Sequence, residues 1–474
     1  MNTSSVLAIF KEITAIPRES GHEGPVTAYL CDWAVRHGLA VSTDEIQNVI
    51  ITREAAPGKE DVPTIVLQAH QDMVCEKLPG VRHDFSKDPI RYEIEDGWMI
   101  AKETTLGADD GIGIAACLAL LESDLPTGKI ECVFTISEET GMDGAENMKE
   151  GFFSGKTLIN LDSEDEGQLF IGCAGGENTM AKFSYSTQAV DPSWTTIELR
   201  IEGALGGHSG DDINKKRLNT VQCLASFLET ELANGLMLKL LSGGGKSNAI
   251  ARDCRAIIAV PDAQACISRF EAFAASVKDE YKGYEDGLVF SSKRSNSNEK
   301  AVDSDTTSSL IHALVSCPHG VVSMCKEIPG LVQTSTNLAS VKMQEQGFIT
   351  VSTSQRSSVE SELDEIVARV SAVFTGHNAA VRSFNRYPGW EPDVNSHILE
   401  ICTESYRRLF NTEPEIKAIH AGLECGLFLR KFPGLDMISF GPTLRGVHAP
   451  GERLDLASMD KFVELLKDVV CNFK

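Results

Sequence analysis

The sequence predicts an α/β protein, a mixed sheet flanked by helices, into which a second, α+β unit is inserted. Three observations carry that expectation. Apolar runs with little polar interruption, at residues 65–67, 130–136 (Glu131 aside) and 157–161, read as strands buried on both faces of a sheet. Amphipathic segments with apolar residues near i, i+3, i+4 and i+7 accompany them, as at residues 4–16 and 456–471. From about residue 193 to about 384 the pattern turns into strands mixed with longer helices, which suits an α+β unit with an antiparallel sheet. The expected division is residues 1–192 and 385–474 for the α/β domain and 193–384 for the insertion.

The elements follow in order. Val6, Leu7, Ile9, Phe10, Ile13 and Ile16 place one face of a helix on residues 4–16, stopped by Pro17. Residues 25–38 read as a second helix with Leu30, Trp33 and Ala34 inward, and residues 41–52 as a strand interrupted near Asn48. The run Ile65-Val66-Leu67 then leads to His70, Gln71 and Asp72. Residues i and i+2 point to the same side of a strand, so His70 and Asp72 share one face at the carboxyl end, where open α/β sheets bind ligands. Residues 114–121 are an apolar helix behind the Gly-rich segment 104–113. In the insertion, strands are expected at 194–201, 248–260 and 348–354 and helices at 214–232, 263–280 and 360–375, with 241–246 as a Gly-rich link. The last part returns to α/β character with a helix at 396–410, a strand at 435–440 and a closing helix at 456–471.

Charge and cysteine content narrow the function. Lysine plus arginine number 44 against 68 acidic residues, a net charge of −24, which argues against nucleic acid or an anionic membrane as partner. The 13 cysteines contain no Cys-x-x-Cys pair, so neither a zinc ribbon nor a disulfide framework is implied, and a reducing cytoplasm is the expected setting. No run of eighteen apolar residues occurs, so no membrane span is expected.

Acidic and imidazole groups recur where buried strands end. An Asp two residues from a metal-binding His is the partner that fixes its tautomer, which gives Asp72 a role beside His70. Asp109 and Asp110 stand at a Gly-rich helix entrance, either as caps or with Asp109 as a metal ligand in a tight turn. Glu138 and Glu139 end one strand; adjacent carboxylates raise each other's pKa unless a cation compensates. With a metal present, one glutamate can coordinate while the other acts as general base. Asp162 ends the third strand, and His448 follows the 435–440 strand in a Gly/Pro-constrained loop. His70, Asp109, Glu139, Asp162 and His448 make two imidazoles and three carboxylates, a set suited to a pair of zinc-like ions about 3.5–4 Å apart.

This ordered set resembles the di-zinc aminopeptidase, carboxypeptidase and aminoacylase clan, and within it the bacterial aminoacyl-histidine dipeptidases, also termed cytosol non-specific or β-alanyl-histidine dipeptidases. The carrying segments are Leu67-Gln-Ala-His-Gln-Asp-Met-Val74, Thr105-Leu-Gly-Ala-Asp-Asp-Gly-Ile-Gly113, Glu138-Glu-Thr-Gly141, Gly206-Gly-His-Ser-Gly210, Tyr387-Pro-Gly-Trp390 and Ile419-His-Ala-Gly-Leu-Glu-Cys-Gly-Leu-Phe428. The resemblance implies a di-zinc peptidase catalytic domain with a lid insertion, and two divalent ions, zinc or else cobalt or manganese. His70 and Asp162 would hold one ion, Glu139 and His448 the other, with Asp109 bridging, Asp72 orienting His70 and Glu138 as general base. His208 of the lid would touch the scissile carbonyl, and Arg356 would hold the substrate's carboxylate. Asn337 is the choice for a further substrate contact, with Asn248 its rival. The implied activity is hydrolysis of unblocked dipeptides, Xaa-His favoured, by a cytoplasmic homodimer joined through its lid; the alternative is a related tripeptidase or N-acyl amino acid deacylase. Asp110 departs from the family, which often has Asn there, and adds a negative charge near the metals.

Overall fold

The computed structural model describes residues 1–297, 299–344, 347–420 and 422–474 and comprises two compact units. One contains Met1–Cys173, Trp390–Ala418 and Leu423–Lys474, the other Ala174–Gly389 and Ile419–Gly422. The boundaries expected at 192/193 and 384/385 fall inside the second unit. The strand Gly175–Ser184 pairs with Phe348–Ser357 on one side and Ala380–Tyr387 on the other, so the second unit already starts at Ala174. Ala421, within one of the quoted motifs, lies outside the described residues.

The first unit is built on an eight-stranded mixed sheet in the order Ala40–Thr43, Val49–Arg53, Ile130–Thr135, Ile65–His70, Thr157–Asn160, Asp436–Ser439, Gln168–Cys173, Glu415–Ile419. Its centre is parallel: Ile65–His70 runs parallel to both Ile130–Thr135 and Thr157–Asn160, and Asp436–Ser439 runs parallel to Thr157–Asn160. Every residue of Ile65–His70 and of Ile130–Thr135 is buried, the polar Gln68, His70 and Glu131 included, as expected of strands covered on both faces. The helix Thr3–Ile13 begins in a capping box between Asn2 and Ser5 and buries Val6, Ile9, Phe10 and Ile13. It packs on the helix Ala108–Leu121, which is buried on all sides and itself lies against Ile65–His70. Each large apolar side chain so buried contributes about 1.5–3 kcal/mol.

The second unit carries a nine-stranded sheet whose pairs are antiparallel, in the order Val289–Arg294, Thr195–Glu202, Cys254–Val260, Met237–Gly244, Val332–Gln344, Phe348–Ser357, Gly175–Ser184, Ala380–Tyr387, with Gly320–Met324 also on Val332–Gln344. Helices Thr220–Leu232, Ala263–Glu280 and Ser304–Ser316 begin on the capping side chains of Asn219, Asp262 and Asp303. Phe183, Phe227, Phe270 and Phe374 sit in one core with the apolar faces of these elements.

The expected link 241–246 is largely strand. A side chain on Gly243 would strike Cys254 and one on Gly244 the backbone of Ala339, so these glycines serve close approach of strands, not flexibility. The strand expected at 248–260 spans only Cys254–Val260, and the helix expected from 214 starts at Thr220. Asn337 lies within the long strand Val332–Gln344. Among the described residues, no helix is long and apolar enough to cross a membrane.

Candidate metal centre

Register places the chemistry. His70 stands opposite Thr135, and Gln68 opposite Asn160, so three parallel strands end together and release residues 70–72, 137–139 and 161–162 at one edge. Ser137 takes a left-handed backbone with φ 53°, a conformation that costs a non-glycine residue on the order of 1 kcal/mol or more. Its N–H and hydroxyl both donate to Glu23 at 3.0 Å, which offsets that cost and turns Glu138 and Glu139 out of the sheet. The carboxylate of Asp72 closes the same turn, receiving the N–H of Glu138 at 3.0 Å, the N–H of Glu139 at 3.2 Å and the hydroxyl of Ser20 at 2.7 Å. Sequence reasoning gave Asp72 only its His70 partner, which it faces from 3.3 Å at Nδ1.

The far side of His70 meets Asp109. His70 Nε2 is 2.9 Å from Oδ1 of Asp109 and 3.4 Å from Asp162. The other oxygen of Asp109 lies 3.1 Å from Nε2 of His448, which is 2.9 Å from Glu139. One carboxylate thus touches two imidazoles, each with a second carboxylate. Donor atoms of His70, Asp109 and Asp162 lie within 4.8 Å of one another, as do those of Asp109, Glu139 and His448, and those of His70, Glu138 and Glu139. The last group joins the other two into one continuous cradle.

Burial sets the electrostatics. Burial, and after it Glu424, Glu139 and Asp109, push Glu138 well above the usual carboxylate range against the pull of His70. Burial opposes the charge on Asp72, yet His70, Ser20 and the backbone N–H of Glu138 hold it down at about 2. Asp162 is raised by burial and by Asp109, while Asp109 is lowered through its bonds to His448 and His70 despite its burial. His448 is pushed up to about 11 by Asp109 and Glu139. Asp110 is raised by burial and the charge of Asp109, and accepts the N–H of Gly113 at 3.0 Å at the helix entrance.

These residues fit a divalent cation pair. Ions bonded at about 2.0–2.2 Å in tetrahedral geometry need donors roughly 3.4 Å apart, close to the separations on both sides of Asp109. Glu139 Oε1 is buried without a hydrogen-bond partner, an acceptor that a cation would satisfy. Two charges of +2 would also balance the concentration of carboxylates that otherwise drives the shifts above.

The remaining sequence candidates lie in the second unit. His208 Nδ1 receives the N–H of Gly210 at 3.3 Å and is 3.3 Å from Asp211. Arg356 is the penultimate residue of the strand Phe348–Ser357, is 7% exposed, and donates to the Tyr387 hydroxyl at 2.9 Å, while its Nε has no partner. Asn337 spends its amide N–H groups on the carbonyls of Ser247 at 3.1 Å and Ala249 at 2.9 Å, either side of Asn248. Sequence reasoning missed His420, which bonds Ser335 at 2.7 Å and whose pKa burial and Arg356 lower to about 3. It also missed the buried Glu424, Arg18 and Glu452. Only pairing across distant segments reveals them; the Glu four residues after His448 was the one local hint.

The profile of Peptidase family M20/M25/M40 matches residues 66–472. The cytosol non-specific dipeptidase of Escherichia coli (strain K12) is 36% identical over 470 residues, covering 97% of this chain and 96% of that protein. The crystal structure of aminoacylhistidine dipeptidase from Vibrio alginolyticus superimposes with a TM-score of 0.94 at 35% identity, covering 99% of this chain and 97% of that one. Aminopeptidase PepT from Bacillus cereus shares the fold, with a TM-score of 0.58 at 16% identity over 99% of this chain and 98% of that one. With the profile spanning most of its length, and near-complete coverage by a relative 36% identical, the chain belongs to Peptidase family M20/M25/M40.

Proposed function

We propose that this protein is a metal-dependent dipeptidase that hydrolyses unblocked dipeptides, Xaa-His substrates such as β-alanyl-histidine among the favoured ones. The observation that carries the reading is the Asp109 carboxylate, whose two oxygens lie 2.9 Å and 3.1 Å from two different imidazoles. The names of the E. coli and Vibrio relatives support the substrate class. His70 and Asp162 would hold one divalent ion and Glu139 and His448 the other, with Asp109 shared; zinc suits this nitrogen and oxygen set, and cobalt or manganese are the rivals. Bound there, the ions supply Lewis acidity toward the peptide carbonyl and toward water.

The chain's own residues do the rest. Glu138 takes the proton of the attacking water as the water oxygen bonds to the carbonyl carbon, then delivers that proton to the leaving nitrogen as the C–N bond breaks. Its raised pKa suits a group that must accept and return a proton. Asp72 holds the backbone of Glu138 and faces His70, so one carboxylate aligns base and ligand. Arg356 is proposed to hold the dipeptide's free carboxylate, its forked guanidinium donating to that group, and its unpartnered Nε is consistent with this task. His208 is proposed to donate to the oxygen that becomes negative, and Asn337, whose Oδ1 is buried without a hydrogen-bond partner, to contact the substrate, with Asn248 its rival. A cytoplasmic homodimer joined through the second unit completes the reading; light scattering reports its mass.

The test is a substrate panel on metal-stripped and reloaded protein: Xaa-His dipeptides, other dipeptides, tripeptides and N-acylated amino acids. Dipeptide cleavage that disappears on chelation and returns with zinc, cobalt or manganese is expected. Preferential turnover of tripeptides or acylated amino acids would replace this reading with that of a tripeptidase or deacylase.

A further inference from the structure

One turn in the first unit is gripped from both sides by charged side chains outside the donor set. Glu452, 2% exposed, receives the N–H of Leu106 at 2.7 Å and of Gly107 at 3.0 Å on one oxygen, and the N–H of Ala108 at 2.8 Å on the other. From the opposite side the buried Arg18 guanidinium donates to the carbonyl of Gly107, and also to the carbonyls of Asp72 at 2.6 Å and Gln71 at 3.1 Å. The residue Gly107 is therefore held by a carboxylate at its N–H and by a guanidinium at its C=O. Its φ of 69° and the collision that any side chain there would make with Arg18 and Met73 leave the position to glycine.

The connections run to the cradle. The gripped turn leads directly into Asp109, Glu452 follows His448 by four residues, and Arg18 reaches the segment carrying Asp72. Burying either charge alone would be costly, and each compensates the other across the turn. A role limited to helix capping would need the carboxylate and not the guanidinium on the carbonyl side. Where a shared carboxylate must meet two imidazoles, small displacements of its loop change both distances at once.

We propose that Arg18 and Glu452 act as a pair of positioning residues that fix the Asp109 loop against the His448 loop and thereby set the affinity of the centre for its cations. The inference rests on the two-cation reading above. Groups one step removed from metal ligands typically contribute 10–100-fold in metal affinity. Arg18→Lys keeps the charge but loses the fork that spans three carbonyls, and Glu452→Gln keeps the size but turns one acceptor into a donor facing N–H groups.

The experiment is calorimetric titration of metal-stripped wild type, Arg18→Lys, Glu452→Gln and the double variant with zinc, with circular dichroism and thermal melting of the stripped proteins alongside. Two bound ions are expected for the wild type, and a 10–100-fold weaker affinity for at least one ion in each single variant. The double variant should lose less than the product of the two, since both act on one turn. Activity of the single variants should return at correspondingly higher metal concentration with KM unchanged. Folded variants that bind both ions with wild-type affinity would overturn the proposal, even if they melt earlier. If Glu452→Gln does not fold, Glu452→Asp and Arg18→Lys carry the same comparison, and unchanged affinity in both would overturn it. A wild type that binds no ion pair would instead overturn the two-cation reading.

Discussion

The carboxylate of Asp72 receives the backbone N–H of Glu138 at 3.0 Å while lying 3.3 Å from Nδ1 of His70. A single buried side chain thus ties the proposed base to a proposed ligand, and its pKa of about 2 keeps it an acceptor at any working pH. Asp72→Asn would put an amide N–H against the N–H of Glu138 or Glu139. A loss of about 10–100-fold in kcat is expected with KM little changed. Steady-state kinetics checks it, and equal kcat in the variant would remove the positioning role.

Glu138 is the group assigned proton transfer. Glu138→Gln keeps the shape and removes the base, so kcat should fall by about 10²–10⁴-fold while metal content, measured by atomic absorption, stays at the wild-type level. Loss of metal together with activity would make Glu138 a ligand, in line with its place beside His70 and Glu139.

Metal uptake should depend on pH. Hydrogen bonds from its ring N–H to Asp109 and Glu139 lift His448 to about 11, and Asp162, Asp109 and Asp72 together raise His70 against its burial. Both imidazoles therefore carry protons near neutrality before a cation arrives, and a cation must displace them. Affinity should rise with pH between 6 and 8, by up to about tenfold per unit for each proton displaced. Titrations in buffers of different ionisation enthalpy should show proton release; pH-independent affinity would contradict the shared protons.

The second unit should lose stability on mild acidification. His319 accepts the N–H of Leu338 at 3.3 Å on Nδ1, and burial lowers its pKa to about 4. The unfolded value is about 6.5, so between those values the unfolded chain binds more protons and stability falls as pH falls. The full effect is up to roughly 3 kcal/mol, present above pH 6.5 and spent by pH 4. His319→Gln should flatten this acid limb in denaturant melts from pH 7.5 to 4.5; an unchanged slope would assign it to other groups.

The centre of the first sheet was legible because parallel strands buried on both faces write predominantly apolar runs, and their ends give the positions of His70, Glu138, Glu139 and Asp162. Asp109 and His448 entered from a Gly-rich helix entrance and a Gly/Pro-constrained loop, and the family resemblance added the bridging role of Asp109. The long strand Val332–Gln344 escaped notice since its buried stretch is rich in Ser and Thr, whose hydroxyls bond across the sheet and leave no apolar signature. Gly243 and Gly244 read as part of a Gly-rich link, whereas tight packing between strands is what selects them. Arg18 and Glu424 carry no local signal, since their partners lie far along the chain: Gln71 is separated from Arg18 by 53 positions, and Gln68 from Glu424 by 356.

The most direct measurement is anomalous diffraction from crystals grown with zinc, recorded on both sides of the zinc absorption edge. Two peaks about 3.5–4 Å apart are expected, one among His70, Asp109 and Asp162 and the other among Asp109, Glu139 and His448. A single peak, or none within reach of Asp109, would contradict the shared-carboxylate centre.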